Sequence, residues 1–338
     1  VGSTLPAGVV QPLTEEQVIQ LVAFARTHNI PLVPRGKSTS GYGGVMPTAG
    51  GLVVDFAWMN EILEIDAEAM TVTVQPGAVW ERLDKDLNKE GLALRTYPSS
   101  APSSTVAGWL AQGGVGFGAY EYGAFRENVV SCRVVLLSGE VREFRGKDLD
   151  LISDAEGITG LITEVTIRVR QHEPEVLWGA CFDSAANLAE ALRSIRENEL
   201  PLWSISFTNP TMADIRNNLP PHMEHGHVVE EHRPVTPPGY VVVLVAPESR
   251  RVAVEAKLQD IIQEAGGQPV DHEVTAHEWE NRFNLMHGKR LGPSTAPSEV
   301  VVPLAKLDGA LRGVEQRVEL PVLMEGMVTT HRASGEAD

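Results

Sequence analysis

The chain has 338 residues, a length that suits two domains or one domain with a large insertion. Lys and Arg total 28 against 45 Asp and Glu, a net charge of −17, which argues against nucleic acid or an anionic lipid surface as partner. Hydrophobic residues at 43% and charged residues at 22% exclude a wholly disordered chain, and the 31 glycines are clustered rather than spread.

In chain order, residues 14–29 read as a helix, with Thr14 and Gln17 as capping box and Val18, Leu21, Val22 and Phe24 as its apolar stripe. A short strand at Leu32 and Val33 leads into a glycine-rich stretch, residues 34–51. Segments 52–56, 62–65 and 71–75 read as strands, and residues 78–90 as a helix ending at Gly91. A second Gly/Ser/Pro-rich stretch, 97–123, encloses a short helix at 106–112. Residues 129–137 and 140–144 form a hairpin about Ser138 and Gly139, and a third glycine loop, 156–160, feeds a strand at 161–169.

Beyond Pro174 the rhythm changes. Strand 176–182, helix 183–198, strand 203–207, a long loop, strand 240–245 and helix 249–265 suggest an antiparallel sheet with helices on one face. A helix at 275–288 capped by Thr275 and Glu278 follows, then strand 300–302, helix 304–314 and strand 321–324. The expected domains are therefore 1–172, an α+β unit built around glycine loops, and 173–338, an α+β unit poor in glycine with an incomplete C-terminal part. The chain opens on Val1 rather than Met, as a piece of a longer protein would.

Cys132 and Cys181 are too few for a disulfide framework or a four-thiolate metal site, and their apolar contexts read as buried small side chains. The longest apolar run, 241–246, is of strand length, far short of the roughly 20 residues of a membrane span. No secretory signal is read, so the expected location is cytoplasmic, with any membrane contact made through a partner.

Three glycine loops in one domain call for a ligand that backbone amides can approach. A run of free N–H groups makes an anion-binding nest. Residues 34–44 combine such amides with hydroxyls and two cations and directly follow a strand, which suits a diphosphate. The frame is not that of a P-loop. Gly114-x-Gly116-x-x-Ala119 matches the dinucleotide fingerprint formally, but a helical piece precedes it where a strand is required.

Three blocks then carry a resemblance: 33–40 (Val-Pro-Arg-Gly-Lys-Ser-Thr-Ser), 103–108 (Ser-Ser-Thr-Val-Ala-Gly) continuing through Gly113 and Gly114 to Tyr122 and Gly123, and 153–164 (Ser-Asp-Ala-Glu-Gly-Ile-Thr-Gly-Leu-Ile-Thr-Glu). In order and spacing they resemble the FAD-binding domain of the vanillyl-alcohol oxidase / p-cresol methylhydroxylase (PCMH-type) superfamily, closer to its glycolate oxidase subunit and D-lactate dehydrogenase branch. The resemblance implies a two-lobed α+β FAD-binding domain followed by an α+β cap domain with an antiparallel sheet. It implies that Pro34, Arg35, Gly36, Lys37, Ser38, Thr39 and Ser40 hold the pyrophosphate, and that Ser103, Ser104, Thr105, Gly108, Gly113 and Gly114 line the flavin and phosphates. Tyr122, Gly123, Glu156, Gly157, Gly160 and Ile162 would close around the ribityl and adenine parts. Relatives that bind FAD covalently through this loop carry His where Thr39 stands, so a non-covalent FAD is expected.

The resemblance extends to Trp279-x-x-Arg282 and to the segment 299–303. It implies that Arg282 meets a substrate carboxylate; the other reading of Arg282 is an ion pair with Glu278 at i−4. His287, Lys289 and Arg290 are secondary candidates. The branch's Gly-His-x-Gly-Asp-Gly-Asn-x-His segment corresponds to 324–331, where the motif is absent and His331 is what remains as a candidate base. No metal is expected from this pattern. His222, His225, His227 and His232 lie in a Pro-flanked loop that reads as a solvated loop, a partner contact or a zinc site. The expected activity is oxidation of a small 2-hydroxy acid, of the D-lactate or glycolate class, with electrons passed to a protein or quinone acceptor. The alternative is an FAD-bearing electron-transfer subunit of an iron–sulfur complex with no hydroxy-acid site of its own.

Overall fold

A computed structural model describes residues 5–219, 222–224, 227–229, 233–284, 297–331 and 336–337. The chain divides into two compact units, one comprising residues 1–116 and 124–172, the other 117–123 and 173–338.

The first unit contains two sheets. Strands β1 (Gly8–Val10), β2 (Leu32–Arg35) and β3 (Leu52–Asp55) form a parallel sheet in the order β1-β3-β2. Helix α1 (Glu15–His28) joins β1 to β2. The Thr14 hydroxyl accepts from the Gln17 amide and Asn29 closes the helix in the left-handed conformation. Val18 and Val22 of α1 pack on Val54, Phe56 and Met59, and Val135 and Leu161 complete this core.

The second sheet is antiparallel, with β4 (Ile62–Asp66), β5 (Thr71–Val74), β9 (Leu161–Gln171), β7 (Val129–Val135) and β8 (Val141–Arg145) in the order β4-β5-β9-β7-β8; β6 (Leu92–Leu94) extends β9 at its far end. Alternation along β5 buries Val72 and Val74 and turns Thr71 and Thr73 outward, where Thr73 bonds Thr166 across the strand pair. Helices α2 (Trp80–Lys89) and α3 (Val106–Gln112) complete this unit. Trp80, Trp109 and Phe125 pack as an aromatic cluster, with Trp109 stacked on Phe125 at 4.5 Å.

The second unit opens with the short helix α4 (Ala119–Tyr122), whose Glu121 carboxylate takes both terminal nitrogens of Arg250 at 2.9 Å. Its sheet is built from β10 (Glu175–Phe182), β11 (Ser204–Thr208), β14 (Tyr240–Pro247), β15 (Gln268–Val270) and β16 (Glu325–Met327), antiparallel in the order β15-β10-β14-β11-β16. Short hairpins β12 (His222–Glu224) with β13 (His227–Val229), and β17 (Thr330–His331) with β18 (Glu336–Ala337), stand apart from it. Helices α5 (Ala185–Glu197), α7 (Arg251–Glu264) and α9 (Leu307–Arg317) cover one sheet face, with Leu188, Leu192, Val254, Leu258 and Leu311 packing on Ala180, Phe182 and Leu244.

Here the structure corrects several sequence expectations. Helices cover both faces of this sheet, because α8 (His272–Glu280) lies on the face opposite α5. Gly179 makes room for it: a Cβ there would stand 2.1 Å from the Thr275 hydroxyl oxygen. Thr275 is accordingly not a helix cap. The helix begins after Asp271, and the buried Thr275 hydroxyl bonds back to the Asp271 carbonyl. The stretch 209–239 is not all loop, since α6 (Pro210–Asn218) starts on the Asn209 cap with Pro at its first turn. Residues 300–302 and 321–324 form no strand. Val300 and Val301 are exposed and pair with no strand among the described residues, and pairing begins at Glu325.

Candidate functional site

Within the first unit the three glycine loops meet. Gly36, just beyond β2, lies against Thr105: a Cβ at Gly36 would be 2.4 Å from the Thr105 hydroxyl. The same hydroxyl caps α3 by accepting from the Gly108 amide at 3.3 Å. Gly157 lies against Pro34, 2.5 Å from a notional Cβ to the ring, and Gly44 lies against the Glu156 carboxylate in the same way at 2.6 Å. Gly113 faces the Asp154 side chain at 3.0 Å. The third loop hangs from α3 by backbone bonds from Asp154 to the Leu110 carbonyl and from Glu156 to the Ala111 carbonyl. Three of these four approaches, at Gly36, Gly157 and Gly44, are closer than real Cβ atoms come, so a side chain there would force a neighbour to shift.

The backbone in this cradle is left-handed at Ser38, Asp154, Glu156 and Gly157. Alternating left- and right-handed residues turn successive N–H groups to one side, the geometry of an anion nest. Among the described residues, none accepts from the backbone N–H groups of residues 37–41, which are exposed. The Ser104 hydroxyl is buried and likewise has no partner among them. A site made of unclaimed amides, hydroxyls and close-approach glycines fits a diphosphate-bearing cofactor.

Cation charge contributes little. The Arg35 guanidinium is committed to Asp55 at 2.9 Å, and buried Asp55 also accepts from Gln11 and the Ala57 amide. Arg35 therefore anchors β2 to β3, and Lys37 is exposed. Burial and the charge of Asp154 push the Glu156 carboxyl up, which lessens its repulsion of a phosphate.

Gly160 and Ile162 pack inside the sheet. A Cβ on Gly160 would meet Val134 and the Val135 carbonyl, and Ile162 pairs with Val134. Tyr122 and Gly123 belong to the second unit. Asp55 was not singled out in the sequence, and the pairings of Gly44 with Glu156 and of Asp154 with Gly113 join residues far apart in the chain, so no local motif marks them.

Residues 6–145 match the FAD binding domain family, and residues 171–335 match the C-terminal domain of FAD linked oxidases. The chain belongs to the PCMH-type FAD-linked oxidases. It is an FAD-dependent oxidoreductase. It is 26% identical to glycolate oxidase subunit GlcD of Bacillus subtilis, over 92% of this chain and 68% of that protein. It is 34% identical to a mitochondrial D-lactate dehydrogenase [cytochrome] of Arabidopsis thaliana, over 49% of this chain and 31% of that one. Among solved structures, an alkyldihydroxyacetonephosphate synthase shares the fold with a TM-score of 0.70 at 23% identity, covering 84% of this chain and 57% of that one. p-Cresol methylhydroxylase does so at 0.64 and 17%, covering 84% and 63%.

In the second unit of this oxidase, a cavity of about 20 Å3 lies between the sheet face bearing Ser206, Thr208, Val241 and Val243 and the side chains of Arg216, Glu278, Trp279, Arg282 and Glu325. Against the other reading of Arg282, an ion pair with Glu278, the Glu278 carboxylate has a different cationic partner. Glu278 is held instead by Arg216 of α6 and, at 2.9 Å, by the Thr236 hydroxyl. The Arg282 guanidinium lies over Trp279 (4.1 Å) and Phe283 (4.3 Å), with Phe117 at 5.7 Å, and donates to the Trp279 carbonyl at 2.6 Å.

Arg216 and Glu325 were not singled out in the sequence. Arg216 lies in the segment read as loop, and Glu325 at the mouth of the altered motif. Burial raises the Glu325 carboxyl to about 7, against the pull of Arg216; burial lowers Arg216, against the pull of Glu325.

His331 lies in β17, and its side chain is outside the described set, as are those of His222 and His227. His225, His232, His287, Lys289 and Arg290 lie outside the described residues altogether. Among the described residues no cluster of His, Cys, Asp and Glu is placed to hold a metal, and no helix is long and apolar enough to cross a membrane.

Proposed function

We propose that this FAD-linked oxidase oxidises a small 2-hydroxy acid of the D-lactate or glycolate class and passes the electrons to a protein or quinone acceptor. Bound FAD supplies the hydride acceptor. The residues that hold it are Pro34 to Ser40 (through amides and hydroxyls), Ser103, Ser104, Thr105, Gly108, Gly113, Gly114, Glu156 and Gly157. Thr39 offers no imidazole for a covalent link, so the flavin is held non-covalently.

The observation that carries the substrate class is Arg282. Three rings hold its guanidinium, and a planar guanidinium held in one orientation binds a carboxylate through two parallel hydrogen bonds. Relatives named as a glycolate oxidase subunit and D-lactate dehydrogenases support the same class. Anaerobic addition of D-lactate or glycolate bleaches the flavin of the purified protein, and Arg282→Ala raises the concentration needed by at least tenfold. Flavin that stays oxidised with a panel of 2-hydroxy acids refutes the proposal for those substrates. The absence of the histidine motif at 324–331 favours a second reading, an FAD-bearing subunit of an iron–sulfur complex. Flavin that is reduced only through co-purifying iron–sulfur proteins would select it.

A further inference from the structure

The antiparallel sheet of the first unit has two unlike faces. Val72 and Val74 of β5 and Val165 and Ile167 of β9 are buried on one of them. The other carries an open groove of about 640 Å3 that runs across the strands from β4 to β8. No residue of the flavin cradle lines it.

Strand register explains the chemistry of this groove. Glu64 lies across from Thr73, Thr73 across from Thr166, Thr166 across from Ser131 and Ser131 across from Arg145, one row through five strands. The middle of the row is hydroxyl, and Thr73 and Thr166 are bonded to each other at 2.9 Å. The two-residue repeat along each strand puts Asp66, Glu164 and Glu143 on the same face as that row. Four carboxylates therefore line the groove against one cation, Arg145, which is already bound to Glu143 at 2.6 Å. Arg133 lies across from both Glu164 and Glu143 but is held by Glu15 at 2.6 Å. Arg168, across from Thr71, is exposed and does not line the groove. Among the described residues, no ion pair engages Glu64, Asp66 or Glu164. Burial pushes the Glu164 carboxyl up; Arg133 pulls it down, and the charges of Glu15 and Glu143 add to the rise. A cation seated beside Glu164 would relieve that crowding.

We propose that this sheet face docks a lysine-bearing segment of a partner protein, whose ammonium groups enter the groove between Glu64 and Glu164 over the Thr73–Thr166 pair. The floor and walls are carboxylates and hydroxyls, all of them acceptors apart from Arg145. They sit on separate strands, with β4 and β9 two strand spacings or roughly 10 Å apart. The three donors of an ammonium point in different directions and suit acceptors spread in this way, whereas a guanidinium seeks two coplanar oxygens of one carboxylate. A second copy of this chain is a poor occupant, because at a net charge of −17 it brings the same sign to the face. Docking here goes beyond the activity proposed above and does not depend on its substrate.

The probe is a fluorescently labelled oligolysine peptide, titrated by anisotropy into the flavin-bound protein, with spermine as competitor. Glu64→Gln/Glu164→Gln is expected to weaken peptide binding by about tenfold. Asp260→Asn/Glu264→Gln, which removes the same charge from the exposed side of α7, should weaken it less than twofold. Flavin absorbance should be the same in all three proteins. Failure of the peptide to bind, or unchanged binding by the groove variant, overturns the proposal. Equal losses in the two variants also overturn it, because they mean attraction to the overall charge rather than to this face. Spermine that binds as tightly as the peptide makes the occupant a free polyamine and overturns the partner segment.

Discussion

Gly36→Ala probes the cradle at its tightest ligand-facing contact. The added methyl carbon would stand 2.4 Å from the Thr105 hydroxyl oxygen, whereas ordinary contact begins at 3.4 Å, so something must move by about 1 Å. Gly36 does not have a left-handed φ, so the effect is one of space and not of backbone preference. If the loop moves, the amides of 37–41 leave their positions. If Thr105 moves, α3 loses its cap. Overpacking of this kind costs about 1–3 kcal/mol, and loss of a threonine cap about 1 kcal/mol.

Thr105→Ala in the same chain distinguishes these routes, because it deletes the clashing oxygen and leaves the residue 105 Cβ at 3.6 Å, an ordinary contact. With about 2 kcal/mol for the first change and about 1 for the second, additivity predicts about 3 for the pair, whereas relief of the clash predicts about 1. The assay is urea denaturation of the flavin-free protein for the two single variants and the pair, alongside flavin retained after gel filtration. Gly36→Ala should weaken FAD binding at least tenfold. Full flavin retention by Gly36→Ala, or strictly additive stabilities, would refute the packing of Gly36 on Thr105 as the element that sets the loop.

Other outcomes follow from the same geometry. Gly157→Ala meets both a left-handed φ of +78° and the Pro34 ring at 2.5 Å, so it should abolish flavin retention while leaving the near-ultraviolet circular dichroism of the second unit intact. Asp55→Ala removes the acceptor shared by Gln11, Arg35 and the Ala57 amide. It is expected to destabilise the first unit by about 2–4 kcal/mol in chemical denaturation. The hydrogen bond from Arg133 holds the Glu15 carboxyl below its ordinary value of 4.5. The unfolded chain therefore binds the proton more readily, the pair's stabilisation is present above pH 4.5, and it fades as pH falls below that. Glu15→Gln should flatten this part of the acid limb in a thermal-unfolding series, and an unchanged limb would show that the pair adds nothing.

The glycine loops were legible because composition reports what a backbone offers: unshielded amides and hydroxyls beside strands. Their mutual packing was not legible. The pairs Gly36 with Thr105, Pro34 with Gly157 and Gly113 with Asp154 span from about forty to over one hundred residues of chain, and no local pattern encodes them. In the second unit the errors have three causes. Val300 and Val301 have strong strand propensity, but both are exposed and no strand among the described residues pairs with them, and propensity alone makes no sheet. At α6, the sequence Asn209-Pro210 is itself a helix-start signal, a capping side chain followed by proline in the first turn, and the surrounding proline-rich segment concealed it. Thr275 looked like a cap because of Glu278 three residues on, yet each of those side chains serves a long-range contact, with Gly179 and with Arg216.

The Arg35–Asp55 pairing has a consequence for how the protein responds to its medium. A diphosphate gripped by lysines and arginines displaces an ion atmosphere on binding, so its affinity falls steeply as electrolyte is added. A cradle in which the nearest guanidinium is already neutralised by a buried carboxylate, and in which peptide dipoles face the ligand, has little such atmosphere to release. Cofactor retention by this strongly anionic protein should accordingly change little between dilute buffer and molar salt.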